Sequence, residues 1–245
     1  MFFGISTIDI IYLVDNPPQR NEKIGAHRQL LCTGGPSSNA AITFSALGGQ
    51  ATLISGLGQH ILTAIVRRDL EAHAIDHIDL CPSFDSVPTM SSICISKNNG
   101  DRSVVSVNAK HMRSESVWEE NLSLSDLKIA LFDGQYMAQA ITLAKACRKS
   151  GIHTILDGGS WKPGTQDLIR YMDSAICSSA FKPPAMGSND DILKWLNDQK
   201  VARAAITRGE QSILALENGQ RLEVSPPKIS PVRDTLAAGD IFHGA

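Results

Sequence analysis

Three places in this chain hold residue types that could act together on a phosphoryl group and a hydroxylated ligand. The first is "DTLAAGD" (234–240), where small residues lead into an acid and then an apolar run. Successive backbone N–H groups at a helix start, unobstructed by large side chains, make an anion hole suited to a transferring phosphoryl group. Asp240 would face the same space, where a carboxylate can accept the proton of an attacking hydroxyl. Read alone, it is better taken as an ordinary acid in a first helical turn, complementing the helix dipole. The second place is "TGGPSSNAA" (33–41), two glycines ahead of a helix expected to start near Asn39. Adjacent glycines let the backbone approach a ligand closely, and an Asn there can hydrogen-bond hydroxyls. A turn with a Ser or Asn cap accounts for it as well. The third is Asp9, set between apolar runs in "STIDII" and therefore expected to be partly buried. A buried acid needs partners, which sugar hydroxyls or structural donors can both supply.

Other chemistries find little support. There is no GxGxxG and no GxxxxGK[ST], so a Rossmann dinucleotide site or a P-loop is poorly supported. The five cysteines are scattered without a CxxC pair and the seven histidines form no HExxH, so no structural metal site is expected. An odd set of unpaired thiols points to a reducing, cytoplasmic setting. A formal net charge of −2 gives no pull toward nucleic acid or an anionic membrane. No apolar stretch approaches the ~18 residues of a spanning helix. The N-terminal "MFFGISTIDIIYLVD" lacks a basic region and reads as a first strand, not a signal peptide.

The elements that must position these residues follow an alternating pattern. Strand-like runs at 51–58, 129–134, 152–159 and 202–209 are interleaved with helical runs at 63–75, 138–151 and 191–200. Strand, helix, strand in this order argues for an α/β fold, a parallel sheet with crossover helices on both faces. Two segments break the rhythm. "TMSSICISKNNGDRSVVSVNA" (89–109) is two β-rich runs around a hairpin signal, and a β-like patch runs from Ile10 to about Leu31. These excursions, about 10–33 and 86–109, suggest a small sheet that would lie as a lid over a site at the carboxyl ends of the core strands.

Taken in order, "GISTID", "GGPSSNAA", "NGDR", "ITRGE" and "DTLAAGD" resemble the ribokinase-like (PfkB) carbohydrate kinase family along essentially the whole chain. The resemblance implies one kinase domain over 1–245 and ATP-dependent transfer of the γ-phosphate to a sugar hydroxyl. It implies that Asp240 is the catalytic base and that Ala237, Ala238 and Gly239 furnish the anion hole. Acceptor contacts would fall on Asp9, Gly34, Gly35 and Asn39, with Arg102 at the hairpin tip joining them when the lid closes. Thr207 and Gly209 match an element lining the ATP site. Asp234 and Thr235 match a loop that in some members binds a monovalent cation such as K⁺, and Mg²⁺ accompanies ATP.

The chain departs from the family pattern in several places. "GLGQHILT" puts Gln59 and His60 where an acidic step is usual, Ser179 stands near the place of a metal-organising Glu, and Ser212 replaces a common glycine. The sequence ends five residues after Asp240, where the resemblance implies further helix. The expectation is therefore that a C-terminal segment follows and that the chain alone is inactive. Two alternatives stand beside the sugar kinase: a nucleoside kinase of the same fold, and a non-catalytic sugar- or nucleotide-binding relative. A hairpin rich in Ser, Asn and charge favours a sugar. The edges of the lid invite pairing with a second copy.

Overall fold

The alternation of strand and helix patterns is realised as thirteen strands and six α-helices in a computed structural model describing residues 1–115, 122–230, 232 and 234–245. In chain order they begin with β1 (Phe2–Phe3), β2 (Thr7–Val14), β3 (Arg28–Gly34), α1 (Pro36–Ala46), β4 (Thr52–Ser55), α2 (Ala64–Ala72) and β5 (Asp76–Asp79). Next come β6 (Met90–Ser96), β7 (Arg102–Ser106), β8 (Ile129–Phe132), α3 (Met137–Lys149) and β9 (His153–Gly158). The chain continues through α4 (Thr165–Ile169), β10 (Ser174–Ser178), α5 (Asn189–Asp198) and β11 (Arg203–Arg208). It closes with β12 (Gln211–Glu217), β13 (Gln220–Val224) and α6 (Ala238–Gly244). They form two compact units, Met1–Gly4 with Glu119–Lys228, and Ile5–Trp118 with Ile229–Ala245.

In the first unit β1, β8, β9, β10 and β11 lie side by side in parallel, and β12 and β13 continue the sheet antiparallel. Parallel strands covered by helices are apolar throughout, as "IALF" of β8 shows. Phe3 and Phe132, both fully buried, meet with ring centroids 5.7 Å apart. Leu143 of α3, Leu156 of β9 and Leu168 of α4 are buried with them. A capping box starts α5: Ser188 Oγ accepts the Asp191 amide at 3.1 Å, and the Asp191 carboxylate accepts the Ser188 amide at 3.1 Å.

In the second unit β4 and β5 pair in parallel beside α1 and α2, and a separate four-stranded sheet has the order β3-β2-β6-β7. The two β excursions thus join in one sheet, because β2 and β6 pair in parallel from Ile8↔Met90 to Val14↔Ser96. Strand alternation puts Asp9, Ile11 and Leu13 on one face with their partners Cys32, Ser91, Ile93 and Ile95. On that face Ile11, Ile93 and Ile95 form a buried cluster with Leu13, Cys32 and Leu236 packed against it.

Two boundaries differ from the sequence reading. The N-terminal apolar run is two strands, not one. It breaks at Gly4, where a Cβ would lie 2.1 Å from the Asp133 carboxylate, and β2 starts afresh in the other unit. Helix α1 begins at Pro36, ahead of Asn39, because a proline at the first helical position forfeits no intrahelical hydrogen bond. Gly35, its N-cap, has φ +96° and a virtual Cβ 2.4 Å from the carbonyl oxygen of Ile5. Gly35→Ala should therefore lower unfolding stability by roughly 2 kcal/mol, strain and overlap together. An unchanged urea midpoint would contradict this reading of the turn.

Candidate active site

Asp9 opens the site from β2. Its side chain is buried, and it accepts the Thr7 hydroxyl at 2.6 Å and a hydrogen bond from Ser91 on the neighbouring strand. Burial pushes its carboxyl above the ordinary 3.8, and these two hydroxyls pull it only partly back. Gly34 makes room for it: a Cβ there would lie 2.1 Å from Asp9 Oδ2. The two glycines of the sequence motif thus have separate reasons, one facing the Asp9 carboxylate and one facing the Ile5 carbonyl.

Asn39 lies in the first turn of α1, its amide bonded to the Gly35 carbonyl at 2.9 Å. Its side-chain Nδ2 donates to Asp240 Oδ2 at 2.7 Å, joining residues 201 positions apart in the chain. The crossing of α1 and α6 allows this, because Gly244 presents no side chain: a Cβ there would sit 2.4 Å from the Ala40 carbonyl oxygen. Burial pushes the Asp240 carboxyl above 3.8; Asn39, His243 and Arg102 favour its ionised form, while Asp9 opposes it. Asp9, Asn39, Arg102 and Asp240 thus form one electrostatic group.

Arg102 is the first residue of β7, just beyond the tip where the sequence reading put it. Its guanidinium donates to the Thr235 carbonyl at 3.1 Å and hydroxyl at 3.0 Å, fastening the small sheet to the loop before α6. In that loop Asp234 Oδ1 accepts the Leu236 amide at 2.7 Å. Ala237 takes a left-handed conformation, φ 55°, as the N-cap of α6. Of the three residues read as an anion hole, Ala238 turns its amide toward the Thr235 carbonyl at 3.3 Å. The amides of Gly239 and Asp240, in the first turn, have no intrahelical acceptor, and the space where a Cβ of Gly239 would stand is open.

The loop "GLGQH" needs no acid of its own. Asp79, at the end of β5, accepts the amides of Leu57 at 2.9 Å, Gly58 at 3.0 Å and Cys81 at 3.0 Å, and Arg67 at 2.9 Å. Burial works to raise its carboxyl, yet these amides and His77 outweigh burial and hold it below the ordinary value. Gln59 bonds the Pro82 carbonyl at 2.8 Å, and His60 Nδ1 accepts the Leu62 amide at 3.3 Å, capping a 3₁₀ turn before α2.

Thr207 and Gly209, expected from the resemblance to line an ATP site, lie in the other unit. Thr207 ends β11 with its hydroxyl 3.4 Å from the Cys177 carbonyl, and Gly209 has φ +64° in the turn to β12. At the end of β10, Ser178 Oγ donates to the Gly159 carbonyl at 2.8 Å and Ser179 is exposed. Ser212 Oγ is 3.4 Å from Ser225 Oγ. Beyond the carboxyl end of β8, Lys162 Nζ donates to the Asp133 carbonyl at 3.0 Å and to the Ser160 carbonyl at 3.4 Å. The sequence reading passed over Lys162 as it did Thr7, Ser91, Leu236 and Gly244. Leu236 and Gly244 were findable as the apolar and small residues flanking Asp240; the hydroxyl partners of Asp9 depend on strand register.

Comparison with known proteins gives the family and the fold. Residues 1–245 match the pfkB family carbohydrate kinase profile. The chain is 24% identical over 260 residues to a ribokinase of Arabidopsis thaliana, spanning 99% of this chain and 68% of that one. In fold it is similar to the Arabidopsis thaliana ribokinase structure complexed with ribose and ATP, with a TM-score of 0.76 at 19% identity over 99% of this chain and 82% of that one. It is equally similar to the adenosine kinase of Sinorhizobium meliloti, with a TM-score of 0.77 at 17% identity over 99% and 84%. With the family profile spanning every residue and the fold shared with ribokinase, the chain belongs to the pfkB family of carbohydrate kinases, phosphotransferases acting on sugar hydroxyls.

Proposed function

We propose that the protein is an ATP-dependent sugar kinase whose acceptor hydroxyl is deprotonated by Asp240. The observation that carries this is the 2.7 Å bond from Asn39 to Asp240 within an electrostatic group that includes Asp9 and Arg102. Asn39 donates to one carboxylate oxygen and so orients the other, and burial raises the proton affinity of the carboxyl. The amides of Gly239 and Asp240 would hold the transferring phosphoryl group, with Ala237 and Ala238 shaping the turn that presents them. Asp9, Gly34, Gly35 and Asn39 would hold acceptor hydroxyls. Arg102, fastened to Thr235, would keep the small sheet closed over them as a lid. Thr207 and Gly209 would contact ATP.

Among the described residues no group of three or more His, Cys, Asp and Glu is arranged to hold a metal, and the turn after β10 offers hydroxyls. That suits a Mg²⁺ held mainly by nucleotide oxygens and water, which would offset phosphate charge when bound. For a monovalent cation the loop at Asp234 is the candidate, although one oxygen of that carboxylate already accepts an amide. Five cysteines outside any disulfide fit a cytoplasmic setting.

A sugar is favoured over a nucleoside by the inner face of the small sheet. Its described residues include Asp9, Cys32, Ser91 and the Ile11–Ile93–Ile95 cluster but no aromatic ring to stack a base; Tyr12 lies on the opposite face. ADP release by the full-length protein, measured on a panel of aldoses, ketoses and nucleosides, should show turnover on a sugar. Asp240→Asn should reduce that turnover by about 10²–10⁴-fold. Sugar binding without turnover in the full-length protein would support a non-catalytic relative instead.

We also propose a homodimer through the lid. On the outer face Leu31 is 49% and Val105 75% exposed, with Ile10 and the exposed Ser92 between them in the same row. Exposed apolar side chains on a sheet face are stabilised by burial against a second copy. Light scattering should give about twice the 26.4 kDa chain mass, and Val105→Lys should return the monomer. A monomeric mass for the unaltered protein at high concentration would dismiss the dimer.

A further inference from the structure

We propose that Asp69, on α2, is a positioning residue for the acceptor loop Gly34–Gly35, an assignment that rests on the kinase reading above. A loop that must be glycine has no side chains with which to anchor itself, so its neighbours must set its position. On one side stands Asp9, whose carboxylate lies against Gly34, and below Gly35 stands the Ile5 carbonyl. The third constraint acts on the residue just before the glycines. Thr33 lies in β3, the edge strand of the small sheet, where every second amide points away from the neighbouring strand. Asp69 Oδ2 accepts the Thr33 amide at 3.0 Å and the Thr33 hydroxyl at 2.8 Å.

One carboxylate oxygen therefore closes the strand edge and fixes the Thr33 rotamer at the point where the chain leaves the sheet for the turn. Hydrogen bonds to an ionised acceptor are among the stronger ones in proteins. Asp69 itself is held by its helix, whose Val66 and Leu70 are buried. The neighbouring thiol reflects the same arrangement: burial, then Asp9, then Asp69 push the Cys32 thiol upward, so it lies within reach of both carboxylates. Asp69 touches neither acceptor nor nucleotide in this account. It acts through Thr33 on where the glycine amides stand.

The test compares the unaltered protein with Asp69→Ala and Asp69→Asn on the sugar turned over in the panel, and follows amide hydrogen exchange at Thr33. Asp69→Ala should raise the acceptor KM by about tenfold, while kcat and the KM for ATP change less than about threefold. Thr33 amide exchange should quicken by a similar factor. Asp69→Asn, which keeps an acceptor oxygen, should recover most of both. An unchanged acceptor KM in Asp69→Ala would overturn the positioning role. So would equal losses in kcat and in both KM values, which mark general damage. Absence of turnover on any panel member in the full-length protein would instead overturn the kinase reading, and the role assigned to Asp69 with it.

Discussion

The hydrogen bond from Asn39 to Asp240 is the interaction on which the account depends. It joins the first turn of α1 to the first turn of α6, elements separated by almost the whole chain. Its length of 2.7 Å requires the two helices to cross closely, and Gly244 against the Ala40 carbonyl permits that crossing. From Asn39 the constraints run back through Gly35 into the turn, and through Ser38, whose hydroxyl lies 2.6 Å from that of Ser6. Ser6 in turn donates to Ser55 at 2.6 Å, tying the turn to β4. All three serines are buried. A buried hydroxyl chain is stabilising only when each member has a partner, so it holds α1 in one place.

The site works against stability. Asp9 and Asp240 both have carboxyls raised above 3.8 by burial, and each is close enough to Arg102 or to the other to feel its charge. Because the folded-state values exceed the unfolded one, ionising these groups costs folding free energy. Their contribution is most favourable below pH 3.8 and is lost as pH rises from there through the folded-state values. Asp79 has the opposite sign, its stabilisation present above 3.8 and lost as pH falls through its lowered folded-state value. Three amides and Arg67 serve the ionised Asp79, whereas Asp9 is given two hydroxyls and Asp240 one side-chain amide. Under-solvated carboxylates of this kind gain when a substrate hydroxyl donates to them.

Much of this was legible in the residues. Apolar periodicity located α3, α5, β8, β9 and β11 within a few positions, since these elements bury one stripe or a whole strand. The "NNGD" tetrapeptide marked the turn between β6 and β7. The order of short motifs pointed to Asp9, Asn39 and Asp240, which the fold brings into one electrostatic group. The break at Gly4 was not legible, because the apolar run continues across it and the side chain packed against Gly4 belongs to Asp133, a residue distant in sequence. The role of Asp69 was equally hidden, since it follows from which amides of an edge strand face outward. Arg102 was found by its hairpin, but its bonds to Thr235 come from tertiary structure.

The central claim is that burial raises the proton affinity of Asp240, and that the Asn39 donor, which orients the carboxylate, only partly offsets that rise. The most direct measurement is a ¹³C NMR titration of the Asp240 side-chain carboxyl in the unaltered protein and in Asn39→Ala. The account predicts a midpoint above 3.8, and a further rise when the Asn39 donor is removed, because that donor favours the ionised form. A midpoint at or below 3.8, or a fall on removing Asn39, would contradict it.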